Sequence, residues 1–303
     1  MDFKSGYVAI IGKPNVGKST ILNRLLGEKL AIVSPKPQTT RESIKGILTL
    51  PDAQVIFVDT PGIHNPRHAL GRHMVKEAQV SLTEVDIVLF VLDAHDGMKD
   101  EDLNILNMIF RVKGKKVFLV LNKIDTIDKR LLLPAIQDAS RRFSFTEYIP
   151  TTAISGDGID LLRGKIIEHL PSGPKYFPDD QLTDKNERFI VAEFIREEVL
   201  RFTHEEVPHA VAVRVEEMRE PSSSPSEEGR SDMYYIQATI FVERDSQKGI
   251  IIGKDGKMMK AIGQAARLKL ESWLKKKVYL GLWVKVLKNW RKDPSALKQL
   301  GYS

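Results

Sequence analysis

Near the start of the chain, Gly12-Lys13-Pro14-Asn15-Val16-Gly17-Lys18-Ser19 fits the spacing GxxxxGK[ST], a pattern suited to holding phosphates. Glycines at 12 and 17 allow a tight turn in which successive backbone N–H groups, those of Lys13, Pro14's neighbours and Val16 among them, face an anion. The helix N-terminus that follows, through Ser19 and Thr20, favours the same negative charge. Lys18 supplies a cation to the β and γ oxygens of a nucleotide, and Ser19 is placed to ligate Mg²⁺. The bland alternative, a glycine-containing turn between a strand and a helix, explains neither the lysine nor the full spacing.

Three further segments carry compatible chemistry. Asp59-Thr60-Pro61-Gly62 follows the apolar run VIFV, so Asp59 emerges at a strand end, where it can hold Mg²⁺ through a water, and Gly62 can bring its N–H to a γ-phosphate. Alone, such a segment would be an ordinary strand-ending turn. Asn122-Lys123-Ile124-Asp125 closes the run KVFLVL. A carboxylate such as Asp125 can accept two hydrogen bonds from guanine N1–H and its exocyclic amine, which adenine does not offer, so the expected base is guanine. Thr152-Ala153-Ile154, after the last strand, offers backbone N–H groups to guanine O6.

In this order, each at a strand end, these segments resemble the guanine-nucleotide motifs of the translation-factor class of P-loop GTPases. The resemblance implies binding of GTP and GDP, hydrolysis of GTP, and a first switch at Pro37-Gln38-Thr39-Thr40-Arg41, where one threonine ligates Mg²⁺. Thr40 is the candidate, with Thr39 as the neighbouring alternative. Ser19, Thr40 and Asp59 form the expected metal set, and Lys18, Thr40, Gly62 and Asn15 the expected catalytic one. The residue after DTPG is Ile63, where small signalling GTPases carry a water-orienting glutamine. Isoleucine neither donates nor accepts, so slow intrinsic hydrolysis is expected. His64 is nearby, although a switch-loop histidine is usually just solvated. Related GTPases with an apolar residue here and asparagine in the P-loop use a bound K⁺ as the missing charge, which makes Asn15 a candidate for that role. The alternative is that Asn15 only hydrogen-bonds within its own loop.

Elements able to position these groups can be read from periodicity. From Tyr7 to about Leu170, the runs YVAII, IKGILTL, AQVIFV, DIVLFVL, KVFLVL and EYIPTT alternate with amphipathic stretches such as 19–26 and 101–112. This predicts an α/β domain: a mainly parallel sheet with helices on both faces. Only Pro51 and Asp52 separate the second and third runs, so that pair must be an antiparallel hairpin at one edge. The expected boundaries are a GTPase domain over 1–171, a Pro- and Asp-rich linker over 172–187, and a second domain over 188–303 ending in a basic tail.

The second domain reads as αββααβ, with a polar, Ser/Pro/Glu-rich interruption near 222–231 expected to be a hairpin loop. Its two central helices meet at Gly253-Lys254-Asp255-Gly256, a GxxG that is weak in isolation. In this element order it resembles the RNA-binding KH domain of the bacterial type, an α+β type II KH fold. The glycines let a backbone approach the sugar-phosphate chain, and the next helix N-terminus favours its charge. The expected RNA contacts are Ile251 and Ile252 as an apolar platform, Gly253, Lys254, Asp255 and Gly256 as the clamp, and Lys257, Lys260 and Arg267 as cations. For either isoleucine alone, core packing is the plainer reading, and Asp255 weakens the clamp electrostatically. Trp273, Trp283 and Trp290 invite a stacking role, but tryptophans are commonly buried, and none is assigned to RNA.

Composition agrees: 42% apolar and 28% charged residues describe a globular chain, and the absence of cysteine excludes disulfides, thiolate metal sites and cysteine nucleophiles. The opening residues do not read as a signal peptide, and no apolar run approaches bilayer length. Residues 244–292 hold 14 Lys/Arg against 3 Asp/Glu, so on a total of +6 the remainder of the chain is net acidic. Such a block suggests a polyanionic partner, nucleic acid first and an anionic membrane second. With QTTR in the first switch and the closing stretch from Gly249 to Arg291, the whole chain resembles the Era family of GTPases. That resemblance implies a cytoplasmic protein of small-subunit maturation whose KH domain grips the single-stranded 3′ end of the small-subunit ribosomal RNA, with GTP controlling the grip. It also implies loose contact with the inner membrane face. Two alternatives are a nucleotide-gated module for protein or membrane partners that never touches RNA, and an ATP-dependent enzyme, against which NKID argues.

Overall fold

The computed structural model describes residues 2–63, 68–112, 114–221 and 233–302, so His64 and the Ser222–Ser231 stretch lie outside the described residues. Two units are distinct: Met1–Arg67 with Gly71–Asp184, and His68–Leu70 with Lys185–Ser303.

In the first unit, strands β1 (Lys4–Ile11), β2 (Ile44–Thr49), β3 (Ala53–Asp59), β4 (Ile87–Asp93), β5 (Lys116–Asn122) and β6 (Glu147–Thr151) form one sheet in the order β2-β3-β1-β4-β5-β6. Only β2 is antiparallel, pairing with β3 as the two-residue connection requires. β3 and β4 are buried along their whole length, the mark of strands covered on both faces. On one face Leu82 of α2 (Ala69–Thr83), Ile105, Leu106 and Ile109 of α3 (Asp100–Arg111) and Ala139 of α4 (Leu132–Arg142) pack against Val88, Phe90, Leu119 and Leu121. Helices α1 (Lys18–Leu26) and α5 (Ile159–His169) pack together, and α1 meets β1, β2 and β3. Because β1 is followed by β3 on one side and β4 on the other, a crevice opens beyond its C-terminal end, where open α/β sheets bind ligands.

Residues 172–184 are part of this unit. Gln54 Oε1 accepts from the N–H groups of Tyr176 and Phe177 at 2.7 and 3.0 Å, and Ile47 N–H donates to Leu182 O at 2.8 Å.

The second unit runs α6 (Glu187–Phe202), a one-turn α7 (Val207–Ala210), β7 (Ala212–Arg219), β8 (Met233–Val242), α8 (Asp245–Ile252), α9 (Lys257–Leu274), β9 (Lys277–Val286) and α10 (Pro294–Gln299). Its sheet has the order β7-β8-β9, with β8 and β9 parallel. Helices α6, α8 and α9 cover one face, closing a core of Ile236, Ala238, Ile240, Ile262, Ala266 and Leu270. This is the expected αββααβ order with two short helices added. The basic tail is ordered: Trp290 is fully buried, donates to Ala210 O at 2.9 Å and stacks on Tyr302.

Candidate functional site: a nucleotide cleft and a glycine clamp

An open cleft of about 490 Å³ lies beyond the strand ends of the first unit, lined by Pro14, Asn15, Gly17, Lys18, Ser19, Thr20, Thr40, Gly62, Asn122, Lys123, Asp125, Thr152, Ala153 and Ile154, among others. Of the nucleotide residues expected from the sequence, Gly12, Lys13, Val16 and Asp59 do not line it. They stand behind it. Gly12 and Lys13 contribute carbonyls that accept from Lys18 Nζ at 3.2 and 2.8 Å, and the Val16 side chain is buried. The Lys13 side chain is turned away to Asp102 of α3, 2.7 Å from a carboxylate that has no exposed surface.

Lys18 is buried, and burial pulls its ammonium down to about 8, against the opposing pull of Asp59. Asp59 is buried as well, and burial lifts it to about 6, with Lys18 and the Ser19 and Thr40 hydroxyls pulling the other way. Each group is therefore short of a counter-charge that a nucleotide and its cation would supply. Ser19 Oγ donates to Asp59 Oδ2 at 2.7 Å and lies 3.0 Å from Thr40 Oγ1, while Asp59 Oδ1 is buried without a partner. An all-oxygen donor set beside an orphaned carboxylate oxygen suits a hard divalent cation such as Mg²⁺. Thr40 is the threonine that faces this point, since the Thr39 hydroxyl is spent on Lys36 O at 2.6 Å.

Asn122 lines the cleft and is braced on two sides. Its Nδ2 donates to Val16 O at 2.8 Å, and its Oδ1 accepts from Ala153 N–H at 3.0 Å and Thr151 Oγ1 at 3.2 Å. The side chain ties the P-loop to the base loop, and the second N–H of its amide is left for a base. A Cβ on Gly17, whose φ is +100°, would stand 2.2 Å from Asn122 Nδ2, so glycine is required there by close approach as well as by conformation. Lys123, in the left-handed region, pairs with Asp93 at 2.7 Å. Asp125 is exposed at the cleft, as a base-reading carboxylate must be.

Asn15 is exposed, and its Nδ2 donates to Pro35 O at 2.8 Å, so its partner lies outside its own loop. Ile63 packs on the core cluster of α2 to α4, and its N–H donates to Gly12 O at 3.3 Å.

Sequence reasoning missed Arg24. From α1 it donates through Nε to Ala153 O at 3.0 Å and through Nη2 to Ile154 O, fixing the 152–154 loop. Of the three N–H groups expected to face the base, that of Thr152 is spent on Asp157 O and that of Ala153 on Asn122 Oδ1, because the loop folds back on the protein. It also missed Asn23, which holds Ala31 by paired backbone bonds, and the stretch Ile32–Pro35 with Gln38, which lines the cleft.

In the second unit, α8 ends at Gly253 (φ +71°), and Lys254–Gly256 form one 3-10 turn leading into α9. Lys254, Asp255, Lys257 and Lys260 are exposed around that helix N-terminus, and Arg267 is exposed about 15 Å further along α9. Ile251, expected in an apolar platform, is fully buried in the core and must be removed from the contact set, because the α8 turn points it at the sheet. Ile252 is half-buried and remains, joined by Ile250, which is 46% exposed. Lys269 is consumed by Glu197 and Glu198 of α6.

A P-loop, a buried carboxylate beside a cation point and a guanine-type loop on a six-stranded sheet, joined to a GxxG unit, define a P-loop GTPase with a KH module. Family models agree, residues 7–123 matching the 50S ribosome-binding GTPase family and 206–291 the KH domain. GTPase Era of Clostridium acetobutylicum is 51% identical over 99% of this chain and 98% of its own length. Two crystal structures superpose with TM-score 0.94 at 43% identity and cover 99% of the chain. One is of Era in complex with MgGDPNP and nucleotides 1506-1542 of 16S ribosomal RNA, and 99% of it is covered. The other, all of it covered, is of a single-residue variant of Aquifex aeolicus Era bound to GDP.AlF4-. The chain belongs to the Era family of GTPases, and it is a GTP-hydrolysing enzyme.

Proposed function

We propose that this GTPase holds the single-stranded 3′ end of small-subunit ribosomal RNA through its GxxG unit during small-subunit maturation, and that bound GTP switches that grip. The observation that carries the reading is the presence in one chain of two glycine turns feeding helix N-termini, at Gly17 and at Gly253–Gly256, the second ringed by unburied cations. The relative crystallised with both a GTP analogue and a 16S fragment supports it. Filter binding of that fragment, with nucleotide varied and salt graded, tests the reading. Salt-sensitive binding that is tighter with a non-hydrolysable GTP analogue than with GDP is expected. Binding of neither that RNA nor any other single strand would leave a nucleotide-gated module for other partners.

At the nucleotide, Ser19 and Thr40 would ligate Mg²⁺ directly and Asp59 through a water, and the ion would neutralise charge on the β and γ oxygens. Lys18, Gly62 and the P-loop N–H groups would hold the phosphates, Asp125 the guanine edge, and the Ile154 N–H its O6. With Ile63 in place of a polar residue, hydrolysis is slow. K⁺ held by Asn15 is the charge proposed to assist it, its side chain releasing Pro35 O in exchange. Faster turnover in K⁺ than in Na⁺ at equal ionic strength is expected, and equal rates would remove the K⁺ role.

The working location is the cytoplasm. No helix among the described residues is long and apolar enough to cross a membrane. The basic stretch 244–292 is what supports contact with an anionic membrane face.

A further inference from the structure

One tryptophan did not go where tryptophans commonly go. Trp290 is buried and Trp273 packs edge-on against Phe194, but Trp283 is 47% exposed. It lies on the outer face of the KH sheet, opposite the helices. Strand β9 is an edge strand, and it alternates strictly: Val278 and Val284 point into the core, while Lys277, Tyr279, Trp283 and Lys285 are exposed. The indole reaches over Gly281, since a Cβ there would be 3.1 Å from its Cη2 and 3.2 Å from its Cζ3. Beside it Tyr279, 52% exposed, stacks on Tyr235 of β8 with centroids 5.1 Å apart and planes 2° apart, and Arg219 of β7 caps Tyr235. The aromatic row thus has one end closed by a guanidinium and the other open to solvent.

Covering a strand glycine with an aromatic ring is a structural device in its own right. That device uses one face of the indole and leaves the other in water. Large aromatics exposed in series, with lysines at both ends, are what a single-stranded polyanion with π-faces would use. Arg214 and Arg219 pair with Glu216 and Glu217 of their own strand β7, at the far edge of the sheet, and Glu216 also feels Lys285, so the cationic charge of β9 stands mainly at Lys277. Lys275 and Lys276 precede the strand, and no carboxylate lies between Lys275 and Lys285.

We propose that this outer face, centred on Tyr279 and Trp283, is a second single-stranded RNA surface, on which bases beyond those held at the GxxG turn stack. It rests on the reading that the GxxG unit holds RNA. The edge strand serves both surfaces, its inward residues belonging to the helix side and its outward residues to the stacking side.

The test is binding of the full chain to the 16S fragment 1506-1542 by the parent, Trp283→Ala, Tyr279→Ala and Trp283→Phe, with thermal unfolding as the folding control. Each alanine variant should bind roughly tenfold more weakly, the scale of one lost base stack, and Trp283→Phe should bind within about twofold of the parent. Because the other two tryptophans are packed, RNA should also quench tryptophan emission in the parent and not in Trp283→Phe. Parent-like affinity in both folded alanine variants would overturn the proposal, as would Trp283→Phe failing as badly as alanine. If the variants bound free RNA normally but small subunits weakly, the face would take a protein partner, and the RNA proposal would fall. Gly256→Asp, run in parallel, separates the two readings: parent-like binding by that variant removes the GxxG reading whatever Trp283 does.

Discussion

The P-loop and the GxxG turn solve the same problem in opposite ways. Both place a glycine turn at the start of a helix, so both offer N–H groups and a favourable dipole to phosphate. Around the P-loop the polar side chains are tied: Lys18, which is buried, to two loop carbonyls, Ser19 to Asp59, Asn122 to Val16, Ala153 and Thr151, with only Asn15 exposed among them. At the GxxG turn Lys254, Lys257 and Lys260 stand in solvent. Enclosure fixes one ligand in one pose and allows charge to act at low dielectric, whereas exposure lets a long chain be gripped and released, with salt as its main adversary. Mutations at the first site should therefore cost more than equivalent ones at the second.

The largest effect is expected at Asp125, whose carboxylate is proposed to read the base. Asp125→Asn should lose GTP affinity by up to ~10⁴-fold and gain XTP, as a site built on polar pairing does when the pairing is inverted. Competition binding with the two nucleotides checks this, and an undiminished preference for GTP would refute the assignment. Next comes Asn122→Ala. It strips partners from the buried Val16 carbonyl and Ala153 N–H at ~1–3 kcal/mol each, so calorimetry should show ~10²-fold weaker nucleotide binding and scanning a lower Tm. A loss confined to GTP over GDP would instead make Asn122 a γ-phosphate contact.

At the exposed turn the effects are smaller. Gly253 is a poor place to probe, since a Cβ there would lie 2.6 Å from Met258 Cβ and would disturb α9 itself. Gly256 meets nothing within 4 Å. Although φ is +73° there, aspartate tolerates that region better than most residues. Gly256→Asp should lower RNA affinity about tenfold through added negative charge, with GTP binding and Tm near the parent values. Loss of GTP binding in the same variant would erase the contrast between the sites.

The gentlest probe is pH. Free Lys18 titrates near 8, and a phosphate holds it charged, so the complex retains a proton that the free protein gives up as pH rises. Nucleotide affinity should fall above about pH 8, by no more than about tenfold per unit. Asp59, near 6, must be ionised to face a cation, so Mg²⁺-dependent affinity should fall below about pH 6. A flat affinity from about pH 4.5 to 9 would mean that neither group is as buried in solution.

What the sequence determined by itself was everything that depends on neighbours along the chain. GxxxxGK[ST] between a strand and a helix marks a phosphate site from its own spacing, and DTPG and NKID could be placed at strand ends because their strands immediately precede them. The antiparallel edge followed from a two-residue connection. Tertiary structure alone decided which polar groups spend themselves on the protein. Asn122 meets Val16 across 106 positions, and Arg24 meets Ala153 across 129, so no local pattern could say that one was a clamp and the other a brace. Burial was decided the same way. Alternation in β9 says which residues share a face, but only the packing of α6, α8 and α9 on one side determines which face stays wet. That is why Ile251, beside the glycine turn, ended in the core and Trp283, in a strand that reads as apolar, ended in water.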